Sequence, residues 1–410
     1  MTSASVVRCR IAAFLLAFAV AGLAHAELPQ LDPAQTLGPD STDSSDDANN
    51  LPSPPLFGYG LALQGNTALA GMPGAYDEKG RVAALVRNAS GRWIRFQTLT
   101  ASGTTAGSGF GEHIAICNMC SLISSRTAVY IFKLQSGKWS EVGKLPFGRA
   151  VQVRDLDVHR NTVVVGASDT TGDAVYVFRM NTNGTFTRIS RVAAPDAVAS
   201  DRFGERVAVY SSTVAVTAPG WHSGQGAVYL FNCTDTQCVQ RQKVIANDGH
   251  PGDDFGHAVD LGNGILVVGA PQANWVPGDP ALPPSETNHR AGGSAYLFVR
   301  SGATWTRQQK LHPGPRQLNW YASFGLQVAV SATHVVIGAP YQVDDYEPGF
   351  VIDYHWSGGT PGGSLFAARM MVNDTSHGES LALYDNMLLA GIPEAPPYWG
   401  GVAYYKLPAH

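Results

Sequence analysis

Fourteen residues separate Phe255, in a Phe-Gly pair, from Gly269, in a Gly-Ala-Pro triplet (269 − 255 = 14). The same step joins Phe203 to Thr217, Phe324 to Gly338 and Phe57 to Gly71, and a worn copy joins His377 to Gly391. A second ruler follows it: Trp305 precedes Leu311 by 6, as Trp93 precedes Leu99, Trp139 precedes Leu145 and Phe186 precedes Val192. Self-similarity at a fixed period restricts a chain to repeat architectures.

The rulers count seven copies, beginning near Phe57, Phe110, Gln152, Phe203, Phe255, Phe324 and His377. Two are irregular. The second has Phe110-Gly111 and no Gly-Ala-Pro, and Cys117 and Cys120 sit where that triplet is missing. The third has Gly166-Ala167-Ser168, but Phe147-Gly148 lies 19 residues before Gly166, five too many, so its register is placed on Gln152 and the pair is taken as displaced. Each copy offers four short strands. Val163-Val164-Val165 and Val267-Val268 are β-branched and suit a pleated surface, and Gly and Pro punctuate the ends. Four strands per unit of this length is the blade of an all-β propeller. Blades bury their faces only against neighbours, so the array must close. The last copy stops after a third strand, Val402 to Leu407. Leu31 precedes Leu37 by 6, and Gln35-Thr36-Leu37 repeats the ending of Gln97-Thr98-Leu99. Residues 31–39 are therefore expected to complete the seventh blade, which leaves no exposed sheet edge there.

This Phe-Gly … Gly-Ala-Pro pattern resembles the FG-GAP repeat of the seven-bladed propeller in integrin alpha subunits and in many secreted bacterial proteins. The resemblance covers about residues 31–407. It implies the closed seven-bladed propeller. Some repeats of that family carry an Asp-x-Asp-x-Asp-Gly calcium loop between the first two strands. Here those turns are short, as at Gly262-Asn263-Gly264, and Asp155 and Asp157 are followed by His159, Arg160 and Asn161. A hard cation needs several converging oxygens, so no metal and no cofactor is expected.

Residues 1–26 read as a secretory signal: Arg8 and Arg10, an apolar run from Ile11 to Leu23, then Ala24-His25-Ala26. The run is short for a membrane span, so the chain is expected to be secreted or periplasmic and not embedded in a membrane. Residues 27–56 hold the closing strand and a polar tether in which Ser41 to Asn50 cannot build a core. The propeller is expected over 57–410. After the signal four cysteines remain. An even count in an exported chain favours local disulfides, Cys117 with Cys120 and Cys233 with Cys238, over a redox pair, which needs a helix N-terminus, or a zinc site, which needs four ligands.

Net charge is −4 and charged residues make up 15% of the chain. That excludes a nucleic-acid surface, which needs clustered Lys and Arg. The loops after each Gly-Ala-Pro share large aromatics: Tyr76, Trp221, Trp275, Tyr341, Tyr346 and Trp399, joined by Trp320 before Phe324. Flat rings with a few polar groups suit sugars or extended peptides, and function concentrates on loops held by a rigid scaffold. The same rings can also serve only to pack over a neighbouring blade. Trp93, Trp139 and Trp305 are read as blade core. No serine elbow and no zinc-protease motif occurs, so no catalytic residue is assigned. The function expected is non-catalytic binding of a glycan or protein. The alternatives are a polysaccharide hydrolase or lyase working through the loop carboxylates Asp344, Asp345 and Glu347, and an envelope component with no small ligand.

Overall fold

The computed structural model describes residues 33–39, 56–117, 120–273, 292–312, 323–340, 349–357, 364–372, 378–392 and 400–408; for Tyr76, Ser357 and 364–372 it describes the backbone alone. These form seven antiparallel sheets of four strands each. Six blades follow the chain, over 61–99, 114–144, 151–192, 207–244, 258–311 and 327–372. The seventh takes three strands from 380–406 and its outermost strand from Gln35–Leu37, pairing Gln35 with Tyr404, Thr36 with Ala403 and Leu37 with Val402. The all-β, seven-bladed ring with a borrowed closing strand is thus as expected, and Leu31 itself lies outside the described residues.

The 14-residue step has a physical basis. In six of the seven copies the glycine of the Phe-Gly pair, or of His377-Gly378, donates its N–H to the carbonyl 13 residues later: Gly58 to Gly71, Gly111 to Ser124, Gly204 to Thr217, Gly256 to Gly269, Gly325 to Gly338 and Gly378 to Gly391. These donors sit at positive φ, from +84° at Gly204 to +101° at Gly111, which glycine adopts without a Cβ penalty. The second copy therefore keeps the step, with Ser124 in the glycine's place. Cys117 and Cys120 are not at the missing triplet. They close the turn between the first and second strands, Ile114–Cys117 and Cys120–Ser125, at the other end of the blade.

The third copy also corrects its reading. Phe147 is not displaced. It stands edge-on to Tyr176 at 5.1 Å and to Phe178 at 5.3 Å, as Phe203 does to Tyr229 and Phe231 and Phe255 to Tyr296 and Phe298. Its strand begins four residues on, at Val151, as Leu61 follows Phe57. The surplus lengthens that strand instead: Val151–His159 has 9 residues where Leu61–Gln64 has 4, and a bulge between Val153 and Asp155 restores the pairing.

Neighbouring blades meet through glycine. A Cβ on Gly71, Gly166, Gly269, Gly338 or Gly391 would overlap the backbone carbonyl of Gly111, Gly204, Gly325, Gly378 or Gly58 in the next blade. Around the outside, a glutamine of one blade clamps the backbone of a tryptophan in the next. The Gln97 amide donates to Trp139 O at 2.8 Å and accepts from Trp139 N at 2.9 Å; Gln242 does the same to Trp305, and Gln35 to Trp93. Trp93, Trp139 and Trp305 are buried as blade core. Cys233 and Cys238 face each other across the outer hairpin of blade 4 and are bonded, as expected.

Candidate functional site

The innermost strand of each blade has one neighbour in its sheet, so its other edge turns to the ring axis and leaves unpaired N–H and C=O groups there. Side chains and solvent must satisfy them. The residues that do so are the candidate site. Counting back 12 and 11 positions from the acceptor of the glycine bond, and in blade 3 from Gly166, which pairs with Asp155, gives Tyr59-Gly60, Glu112-His113, Arg154-Asp155, Glu205-Arg206, His257-Ala258, Leu326-Gln327 and Glu379-Ser380. All of these but Arg154 and Glu205 line one cavity of about 520 Å³ at the axial mouth. Parallel bridges from Gly80 to Phe110, Gly226 to Phe255, Gly293 to Phe324 and Gly400 to Phe57 put the loops after Gly-Ala-Pro and the Phe-Gly segments at this same end. The 14-residue ruler thus points to the mouth, but only once the step is known to be a hydrogen bond of an inward-facing strand.

The bowl is polar and its charges are mostly committed to partners. His113 Nδ1 lies 3.3 Å from Asp155, and His257 Nδ1 lies 2.7 Å from Asp254. Arg126 ties Glu112 and Glu78, both at 3.2 Å. Glu205 faces Arg154 at 3.7 Å and Arg202 at 3.8 Å. Arg206 differs. Its guanidinium has a hydrogen bond to its neighbour's carbonyl, Glu205 O at 3.0 Å, and no carboxylate within ion-pair distance among the described residues. Tyr59 stands at the rim with 45% of its surface exposed. The phenol's proton affinity is raised, first by partial burial and then by Glu112, while Arg206 works the other way.

Deeper in, Asp157 and Asp260 form part of the waist between this cavity and a second of about 500 Å³ at the opposite mouth. Both occupy the register that holds Ala62, Ala115, Ala208, Ala329 and Ala382 in the other blades. Each carboxylate accepts one N–H from its own strand and one from the next blade: Val158 and Val209 for Asp157, Leu261 and Val330 for Asp260, all at 2.7 Å. Asp155 reaches Val207 N in the same way at 2.9 Å. Burial pushes Asp157 up to about 6 and Asp260 up to about 7, Asp260 further because Asp157 shares the channel. Among the described residues no three of His, Cys, Asp and Glu come together as a metal site, and no helix is long and apolar enough to cross a membrane.

Of the aromatic loop residues, Trp221 opens the helical turn Trp221–Gly224 after Thr217-Ala218-Pro219. It is half-buried, His222 stacks on it at 4.0 Å, and Lys243 Nζ stands 3.8 Å from its ring centre, so much of its π-surface is already engaged. Tyr76 lies in the helical turn Ala75–Glu78. Trp275, Trp320, Tyr341, Tyr346 and Trp399 lie outside the described residues, as do Asp344, Asp345, Glu347 and the 1–26 segment.

A family model described as "FG-GAP repeat" matches residues 186–231 and 238–298. A search of curated proteins finds no match. Among solved structures, a protein of Bacteroides uniformis ATCC 8492 is 13% identical, with a TM-score of 0.52 over 81% of this chain and 88% of that one. One of Bacteroides fragilis NCTC 9343 is 11% identical, with a TM-score of 0.52 over 78% and 85%. Both are described as a "putative 6-phosphogluconolactonase". At this identity the likeness speaks for the fold alone. Seven four-stranded blades, five seams made by the same glycine contact, and an FG-GAP repeat matched over residues 186–231 and 238–298 together make the chain a seven-bladed β-propeller that carries FG-GAP repeats.

Proposed function

We propose that this protein is an exported, non-catalytic recognition module that takes a glycan at the end of the ring where the axial mouth and the aromatic loops lie. A protein segment is the second ligand suited to the same face. The observation that carries the reading is the bowl itself. It has the volume of a small-ligand site and is lined by paired carboxylates and imidazoles that can accept and donate to hydroxyls, with Tyr59 exposed at its rim. Tyr76, Trp221, Trp275, Trp320, Tyr341, Tyr346 and Trp399 are proposed as the outer contacts for a longer chain of sugars. The two disulfides and the 1–26 segment fit an oxidising compartment outside the cytosol. Binding to an array of immobilised glycans tests the reading. Specific binding that weakens on Tyr59→Ala supports it; an array with no bound glycan removes it.

One observation favours a second reading, a hydrolase or lyase. One imidazole at the mouth, His257, is hydrogen-bonded to Asp254, and a second, His113, has Asp155 3.3 Å from its Nδ1, which is the arrangement of a general base. Turnover of a polysaccharide, abolished by His113→Gln or His257→Gln, would place the protein in that class.

A further inference from the structure

Resting on the reading that the mouth binds a glycan, we propose that the bound residue is an acidic sugar, with its carboxylate on Arg206 and its ring against Tyr59. Arg206 is the cation of the bowl that the described fold leaves without a counter-ion. Arg126, Arg154 and Arg202 each hold at least one carboxylate, and Arg206 holds only a backbone carbonyl. It extends from blade 4 into the cavity that Tyr59 borders from blade 1, and its charge is felt at the Tyr59 phenol. A guanidinium offers a planar fork of N–H donors that matches a carboxylate with two parallel bonds. The carboxylates of the bowl have the opposite use. Glu112 is paired with Arg126, and Asp155 accepts the Val207 N–H with His113 3.3 Å away, so their remaining lone pairs can accept from sugar hydroxyls. They also repel a ligand with negative charge spread over its whole surface. A neutral ring with one carboxylate therefore fits this charge distribution, and a polyphosphate does not. The exposed face of Tyr59 suits the C–H face of a pyranose.

The probes are D-glucuronate, D-galacturonate, their neutral counterparts glucose and galactose, and glucose 6-phosphate, each titrated into the full chain by calorimetry or by ¹H NMR line broadening. The expected result is uronate binding at least about tenfold tighter than the neutral sugar or the phosphate. Arg206→Gln should erase that preference and bring uronate down to the level of glucose. Tyr59→Ala should weaken uronate and neutral sugar alike. Arg206→Gln removes no ion pair among the described residues, so its melting temperature should match the parent and certify the fold. Equal affinity for glucose and glucuronate, or a preference that survives Arg206→Gln, overturns the assignment to an acidic sugar and leaves glycan binding standing. Tighter binding of the phosphate overturns it in favour of a phosphosugar. No binding of any sugar overturns both.

Discussion

Blade 1 and blade 7 have the same strands and are held in different ways. In blade 1 the outermost strand, Trp93–Leu99, follows its neighbour through a short turn and pairs along six positions, from Val82 with Leu99 to Arg87 with Trp93. In blade 7 the outermost strand is Gln35–Leu37, pairs at three positions, and lies more than 360 residues from its partner Tyr404 in sequence (404 − 35 = 369). The seams between blades show no such difference. Gly391 meets Gly58 as Gly71 meets Gly111, Gly400 bridges Phe57 as Gly80 bridges Phe110, and Gln35 clamps Trp93 as Gln97 clamps Trp139. The ring is therefore closed as firmly between blades 7 and 1 as elsewhere. Its weak line runs inside blade 7, between Gln35–Leu37 and Gly401–Lys406. Loop-closure entropy places the cost there, because nothing local holds that pair together.

If seams are equivalent, the largest effects should be equal on both sides of the closure. Gly71→Val and Gly391→Val each drive a side chain into a backbone carbonyl that has no room to move. Both should cost roughly 4 kcal/mol or more and leave little folded protein, read as loss of the cooperative melting transition. A tolerated Gly391→Val beside a lethal Gly71→Val would show that the closing seam is looser than its geometry. Trp93→Ala comes next, at about 3–5 kcal/mol for a buried tryptophan. Trp93 also meets Tyr404 of blade 7 edge-on at 5.9 Å. Its loss should therefore exceed that of Trp139→Ala, by a margin visible in the denaturant midpoint, if the two blades melt as one.

What could be read from the residues divides along the same line. The blade count and the closing strand were legible because seam glycines and the Gln-Thr-Leu ending are imposed by backbone contacts that allow few substitutes. The irregular copies were less so. Ser124 can replace a glycine where only its carbonyl is needed, and an alphabet of letters hides that the hydrogen bond survives. Blade 3 hid its register because five added residues went into the strand, while Phe147 stayed in its aromatic slot. The mouth was hardest. Its residues share a position and not a residue type, and Tyr59, Glu112, Asp155, Arg206 and His257 converge only when the ring is drawn. The loop aromatics, which share a type, are conspicuous in the sequence for that reason.

The seams do differ at the axis. Carboxylates bridge blade 3 to blade 4 through Asp155 and Asp157, and blade 5 to blade 6 through Asp260, whereas at the same register blade 7 has Ala382. Burial holds Asp157 near 6 and Asp260 near 7, above their unfolded values near 3.8. The folded state thus keeps these two protons while the unfolded chain has lost them. Stability from this source is present below pH 4 and is lost as pH rises through 6 and 7. Melting followed between pH 4.5 and 8 should show stability falling steadily across that window, because the two protons are released from the folded state only there. Asp157→Asn with Asp260→Asn should flatten the slope, whatever it does to absolute stability by removing one acceptor at each site. An unchanged slope in the double variant would assign the pH dependence elsewhere.

The smallest effect is the most informative about closure. Gln35→Ala removes two hydrogen bonds to the Trp93 backbone, 2.8 Å each, and leaves the three sheet pairs of its strand intact. Gln97→Ala removes the same two bonds to Trp139. Both should cost about 1–2 kcal/mol at equilibrium. Their kinetics should separate. Gln97 sits on a strand tethered by a hairpin, so its neighbours hold the site when the clamp is gone. Gln35 sits on the strand whose release unzips blade 7, and a contact that forms last acts mainly on unfolding. Gln35→Ala should therefore raise the unfolding rate several-fold more than Gln97→Ala in denaturant-jump experiments, with folding rates nearly alike. A disulfide engineered between positions 36 and 403, which face each other across that pair, should remove the difference. Equal unfolding rates for the two alanine variants would move the first step of opening away from blade 7.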